Sequence, residues 1–154
     1  MPLKPNHPHY IAQSILARRD HSVFELKTKM EKRGIPAHEI KEIINKLKKL
    51  KLLDDKKFAQ KYTQQIIQIK PVGPRLIKQK LRQKKINDHF IQAALDTFLT
   101  EDLEKELAQK AARKWQQLHP QKKSDRIRLT RFLTSRGFSY STVKTVTREL
   151  TNTA

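Results

Sequence analysis

Between Ser22 and Leu47, apolar residues fall at Leu26, Met30, Ile35, Ile40, Ile43, Ile44 and Leu47. The same spacing recurs 51 residues later at Ile77, Leu81, Ile86, Ile91, Ala94, Leu95 and Phe98. It recurs again 52 residues further on, at Leu129, Leu133, Phe138, Val143, Val146, Thr147 and Leu150. Thr147 is the one polar residue among the twenty-one, in a chain that is only 36% hydrophobic. A match of that length without internal gaps marks a repeat with a period of about 50 residues.

The polar positions between the ladders predict where helices begin and end. In the first unit, Tyr10 to Arg19 carries Ile11, Ile15 and Leu16 on one helical face. Ser22 then reads as an N-cap, and Glu25 three residues later completes a capping box. The second helix runs to about Arg33, with Gly34 as a left-handed C′ residue. Pro36 is placed as the first residue of a third helix, whose Ile40, Ile43, Ile44, Leu47 ladder is amphipathic.

The second unit opens on Asp54-Asp55, carboxylates suited to a helix start. Phe58, Tyr62, Ile66 and Ile67 give that helix its inner face. Pro74 starts the next helix after a break at Lys70 to Pro74, and Asn87 or Asp88 caps the one after, which ends near Thr100. The third unit opens with Thr100-Glu101-Asp102, and Leu103, Leu107, Ala111 and Trp115 line its inner face. A loop from His119 to Asp125 follows, with Ser124 as the expected cap. Gly137 splits the last two helices and Ser139 caps the final one. The equivalent turns are Gly34-Ile35, Lys85-Ile86 and Gly137-Phe138. A lysine in the left-handed region costs about 1 kcal/mol, so Lys85 either carries that strain or belongs to a turn of different geometry.

The expected architecture is all-α: three tandem three-helix, helix-turn-helix-like repeats forming an elongated, curved molecule. Residues 1–9 form a flexible lead-in, residues 10–53, 54–99 and 100–150 the three repeats, and residues 151–154 a frayed tail. Units of this size bury little apolar surface alone, so each leans on its neighbour.

Charge changes the picture more than composition does. The 154 residues include 34 Lys and Arg against 15 Asp and Glu, a formal net charge of +19. Mean hydropathy is −0.77 and the sequence pI is near 10.3. Such an imbalance points to a polyanionic partner, most commonly nucleic acid. There is no cysteine, which removes disulfide and thiolate chemistry. No apolar run nears the roughly 20 residues that span a bilayer, and the first residues lack the apolar core of a signal peptide. A cytoplasmic protein with no membrane partner is expected.

Catalytic signals are thin. The six histidines are scattered along the chain; His7 and His9 are too few for a firm metal site. The pairs Asp54/Asp55 and Glu101/Asp102 are explained by capping. There is no Gly-rich phosphate loop, nucleophile elbow or His-Glu zinc motif, so neither an enzyme nor a cofactor is expected.

The basic residues are unevenly placed. Six of the eleven residues from Arg75 to Lys85 are cations: Arg75, Lys78, Lys80, Arg82, Lys84 and Lys85, with no acid among them. The matching region of the third unit has Lys122, Lys123, Arg126, Arg128, Arg131 and Arg136. In the first unit Lys27, Lys29, Lys32 and Arg33 are diluted by Glu25 and Glu31. The third helices, which stand where a recognition helix would, differ: Asn87 to Thr100 contains no Lys or Arg, whereas the first unit's is richer (Lys41, Asn45, Lys46, Lys48, Lys49) and the third unit's is mixed (Lys144, Arg148). That pattern suits contact with a phosphate backbone or an acidic surface better than base readout.

Several motifs resemble the RecX family. They are Ser22-x-x-Glu25-Leu26, the turn Lys32-Arg33-Gly34-Ile35, and the Leu-Leu-Asp-Asp-x-x-Phe-Ala-x-x-Tyr run from Leu52 to Tyr62. Gly73-Pro74-Arg75-Leu76-Ile77 and Arg136-Gly137-Phe138-Ser139 complete the set. Together they cover Tyr10 to Leu150. The sequence departs from the pattern at Lys84-Lys85-Ile86, where the family uses Lys-Gly-Ile. The resemblance implies a monomeric, non-enzymatic regulator of the RecA recombinase. Such a protein binds in the groove of the RecA–DNA filament, limits its growth, ATP hydrolysis, strand exchange and coprotease activity, and binds naked single- or double-stranded DNA weakly and without specificity. The rival expectation from the residues alone is a sequence-preferring helix-turn-helix regulator.

Overall fold

The computed structural model describes residues 2 and 4–152. Among these there are nine α-helices and no strand: α1 (Pro8–Leu16), α2 (Val23–Glu31), α3 (Ala37–Lys49), α4 (Asp55–Ile69), α5 (Pro74–Gln83), α6 (Asp88–Phe98), α7 (Glu101–Leu118), α8 (Arg126–Ser135) and α9 (Tyr140–Asn152). Nineteen of the twenty-one ladder positions are buried, with Phe98 and Leu150 half-buried. Thr147 is satisfied inside by donating its hydroxyl to the Val143 carbonyl at 2.7 Å, a helical back-bond that removes the cost of burying it.

The substantial helix contacts join α1–α3, α4–α6 and α7–α9, each group around its own apolar cluster. The accessible surface is 10393 Å², against about 8,100 Å² for a compact monomer of this mass. Three small cores in a row leave more surface exposed than one large core.

The starts and stops follow the sequence closely, with a few corrections. The Ser22 hydroxyl accepts the Glu25 N–H at 3.1 Å, and the Glu25 carboxylate accepts the Ser22 N–H at 3.1 Å, so the capping box is complete. Asn87, not Asp88, caps α6 by accepting the His89 N–H. Asp125, not Ser124, caps α8 by accepting the Arg128 N–H; the carboxylate is the stronger acceptor next to a helix dipole. Pro36 is the N-cap of α3, with ψ of 144°, one position before its expected place. The first helix begins at Pro8, inside the expected lead-in, and ends at Leu16, not Arg19. The last helix continues through Asn152, beyond the expected fraying point; the remaining tail residues lie outside the described ones, as do two residues of the lead-in.

The three inter-helix turns are alike. In each, a left-handed residue follows the second helix: Gly34 at φ 75°, Lys85 at φ 55° and Gly137 at φ 85°. The N–H of the next residue reaches back to close the turn: Ile35 to Met30, Ile86 to Leu81 and Phe138 to Leu133. Lys85 thus adopts the strained conformation and keeps the common geometry. A fourth such turn, at Lys51 (φ 57°), ends α3 and carries no glycine to mark it in the sequence.

Candidate nucleic-acid interface

Helix α5 buries Ile77 and Leu81 completely, and that fixes the rest of its surface. Arg75, Lys78, Gln79 and Arg82 follow one another at helical spacing on the outer side, and Gln83 and Lys85 continue the line. These six residues line one open groove of four cations and two amides. Arg82 is braced by a bidentate pair with Asp88, Nε to Oδ1 and Nη2 to Oδ2 both at 2.8 Å. That hydrogen bonding raises the Arg82 pKa and lowers that of the Asp88 carboxyl. Arg75, Lys78 and Lys85 join none of the ion pairs among the described residues.

The other two cations of the first cluster lie elsewhere. Lys80 is exposed outside the groove. Lys84 lies across α5 from Arg75 and turns toward the first repeat: its ammonium pairs with Glu25 there and sits 5.8 Å from the ring centre of Phe58 on α4. Lys84 is therefore a joint between repeats. A helical wheel carries the signal: nine residues after Arg75 is half a turn round the helix.

The cations of the third repeat are exposed and dispersed. Arg128 and Arg131 are one turn apart on α8, and Arg126 lies about 200° round the helix from Arg128. Arg128 pairs with Asp125 at 3.2 Å, and the Arg136 guanidinium lies 5.3 Å from the Phe132 ring centre. Lys122 and Lys123 stand at the short helical turn before α8. A further group of cations lies outside the clusters expected from the sequence: Lys110, Arg113 and Lys114, with Gln109, Gln117, Leu107 and the acidic Glu106, line an open depression along α7. Their helical spacing is the signal that marks it, on a side of α7 that runs up to Leu107 of its apolar ladder.

The repeats meet through their second helices, head to tail. The N-terminal end of α2 sits on the C-terminal end of α5: the Ser22 hydroxyl donates to the Lys84 carbonyl at 3.0 Å. The N-terminal end of α5 sits in the same way on the turn after α8. There the Gly73 N–H donates to the Arg136 carbonyl and the Arg75 N–H to the Gly137 carbonyl, both at 2.9 Å. Gly73 and Arg136 stand 51 and 52 residues after Ser22 and Lys84, so the contact itself is repeated. At both junctions donors at one helix start meet unpaired carbonyls at another helix end, a hydroxyl at the first and backbone N–H groups at the second, with the dipoles aligned favourably.

The Leu52 to Tyr62 run explains itself at the first junction. Leu53 is buried in the first core. Asp54 caps α4 through the Lys57 N–H. Asp55 accepts the Val23 N–H of α2 at 2.9 Å, so it caps a helix of the neighbouring repeat. Burial raises the Asp55 pKa, against the lowering pull of that N–H. Phe58 and Ala59 are buried in the second core. Burial also works to raise Glu25, but hydrogen bonds from Arg19, Lys84 and the Ser22 N–H outweigh it and hold its pKa at about 2. In the third repeat a carboxylate also caps another helix, but within the repeat: buried Glu104 of α7 accepts the Ser139 N–H ahead of α9 at 2.6 Å.

Among the described residues, no three His, Asp or Glu side chains gather where they could hold a metal ion. No described helix is long and apolar enough to cross a membrane.

Fold and surface define a tandem three-helix-repeat protein with a basic face. Sequence models of the RecX first and second three-helix domains match residues 11–47 and 54–95. A regulatory protein RecX from Chlorobaculum tepidum is 33% identical over 133 residues, covering 86% of this chain and 81% of that protein. One from Streptococcus agalactiae is 34% identical over 121 residues, covering 79% of this chain but only 46% of the relative. The crystal structure of RecX from Lactobacillus salivarius superposes with a TM-score of 0.83 at 28% identity, covering 93% of this chain and 94% of that one. The chain belongs to the RecX family.

Proposed function

We propose that this protein is a cytoplasmic, non-catalytic regulator of a RecA-type recombinase. It acts as a monomer and engages the DNA-bound filament through the groove on α5, with the α8 cations and Lys122 and Lys123 as auxiliary contacts. It restrains filament growth and, with it, ATP hydrolysis, strand exchange and coprotease activity. Family membership supports the regulatory role, and the charge distribution supports a polyanionic partner.

The observation that carries the site is Lys85. At the two equivalent positions the chain uses glycine, which occupies the left-handed region freely. Here a lysine is held there at a cost of about 1 kcal/mol, and its side chain lines the basic groove. Strain kept at a position that adds a cation to a cation-lined groove fits binding better than packing.

The groove supplies donors suited to phosphate or carboxylate; its lining holds no carboxylate among the described residues, and nearby Asp88 is locked in its pair with Arg82. In the repeat that holds the groove, the helix a base reader would use, α6, presents Asp88, Gln92 and Asp96 to solvent, with Gln92 bonded to Asp96 at 2.8 Å. Carboxylates in that position repel phosphate, which weighs against sequence-preferring recognition. Reversing Arg75, Lys78 and Lys85 to Glu tests the site without disturbing the Arg82–Asp88 brace. The variant keeps its helical circular dichroism and loses its effect on the recombinase ATPase. An unchanged effect would remove the groove from the account.

A further inference from the structure

The two junctions between repeats are built from different materials. Between the second and third repeats, two backbone hydrogen bonds cross. Gly73 and Gly137 are pressed so close that a Cβ on Gly73 would stand 2.3 Å from the Phe138 nitrogen, and one on Gly137 2.3 Å from the Leu76 nitrogen. Ile67 and Leu99 pack against both cores at once. Between the first and second repeats no apolar residue among the described ones is shared by the two cores. The polar contacts across that junction each involve a side chain: Ser22 to the Lys84 carbonyl, Val23 to Asp55, Glu25 to Lys84, and Lys61 to Asp20 at 3.2 Å. These surround an open cleft of about 350 Å³ lined by Arg19, Asp20, Phe58, Lys61, Tyr62 and Lys84.

We propose that the chain moves as two bodies, α1–α3 against a fused α4–α9, and that the joint between them is electrostatic and loosened by polyanions. An apolar contact with backbone hydrogen bonds hardly responds to salt, whereas the exposed Lys61–Asp20 pair is screened over about 10 Å at 0.1 M ionic strength and the half-buried Glu25–Lys84 pair to a smaller degree. Asp20 and Glu25 occupy, from inside the molecule, the cations that a phosphodiester would otherwise take. Lys61 and Lys84 are thus shared between holding the joint and meeting a ligand. A phosphate chain entering the cleft competes for both and frees the first repeat to reorient. The low pKa of Glu25 fits its place as the charge hub of the joint.

The chain has no cysteine, so label pairs can be introduced cleanly. Lys41→Cys with His89→Cys spans the first junction, and His89→Cys with Lys144→Cys spans the second; all three positions are exposed. Spin-label distances are measured between about 0.05 M and about 0.5 M NaCl, and with an added single-stranded oligothymidylate. The 41–89 distribution lengthens and broadens under both treatments, while the 89–144 distribution stays fixed. Glu25→Gln shows the open distribution already at low salt. Asp20→Asn, which leaves the α2 capping box intact, moves part of the way. Equal responses from the two pairs overturn the proposal. So does a 41–89 distance that stays fixed under salt, oligonucleotide and both substitutions.

Discussion

Three glycine substitutions separate two kinds of cost that usually come mixed. Gly34 has φ 75°, and a Cβ placed there would meet no heavy atom within 4 Å, so Gly34→Ala incurs only the backbone penalty. That is about 1–2 kcal/mol. Gly73 has φ −96° and ψ 175°, a conformation any residue adopts, but its Cβ would meet Gly137 and Phe138 backbone at 2.3–2.4 Å. Gly73→Ala therefore meets only the contact penalty. Backbone cannot rotate aside as a side chain can, so the second and third repeats separate locally. Overpacking of this kind costs about 1–3 kcal/mol, and a strained backbone hydrogen bond adds about 1 kcal/mol. Gly137→Ala combines φ 85° with a 2.3 Å approach to Leu76 and meets both penalties, about 2–5 kcal/mol. Urea unfolding followed by circular dichroism measures all three, with thermal shifts of about 2–4 °C per kcal/mol as a check. Equal costs for Gly34→Ala and Gly137→Ala would refute the tight junction, as would a neutral Gly73→Ala.

Other outcomes follow from the same geometry. Lys85→Gly relieves the left-handed strain and raises stability by about 0.5–1 kcal/mol, while weakening partner binding by removing a groove cation; unfolding and binding assays on one sample check the opposed effects. Glu25 has a folded pKa of about 2 against an ordinary 4.5, so its contribution is complete above 4.5 and is lost as pH falls toward 2. In denaturant titrations between pH 7 and pH 3, Glu25→Gln flattens the acid limb by about 1–2 kcal/mol relative to the parent chain, a range that allows for solvent screening; identical limbs would remove Glu25 from the joint. Asp55→Asn keeps an acceptor for the Val23 N–H, whereas Asp55→Ala strands that donor and costs about 1–2 kcal/mol more, measurable as a difference in urea midpoint.

Much of this was legible in the sequence because it is local. The capping box at Ser22 and Glu25, the ladder from Leu26 to Leu47 and the left-handed Gly34 each depend on residues within about a helical turn of one another. Lys85 was legible through repetition, since its place in the second unit matched glycines in the first and third. What periodicity does not encode is how one repeat sits on the next. Asp55 looked like a cap for its own helix and serves α2 instead. Lys84 counted toward a surface cluster and is turned to Glu25. Gly73 stands at the N-cap of α5, where a close backbone approach has no sequence mark. The third-repeat arginines show the converse limit: density along the chain did not become density on one face, because Leu129 and Leu133 take the inner side and spread the cations around the rest of α8.

If the α5 groove makes this chain a regulator of a recombinase filament, the effect is visible in recombinase ATPase activity on single-stranded DNA. That activity is titrated with the protein at low and moderate salt, beside the variant in which Arg75, Lys78 and Lys85 are reversed to Glu. The expected result is dose-dependent suppression by the parent chain, weaker at the higher salt, and none by the variant. No suppression by the parent chain at either salt, or equal suppression by parent and variant, would contradict the role of the groove.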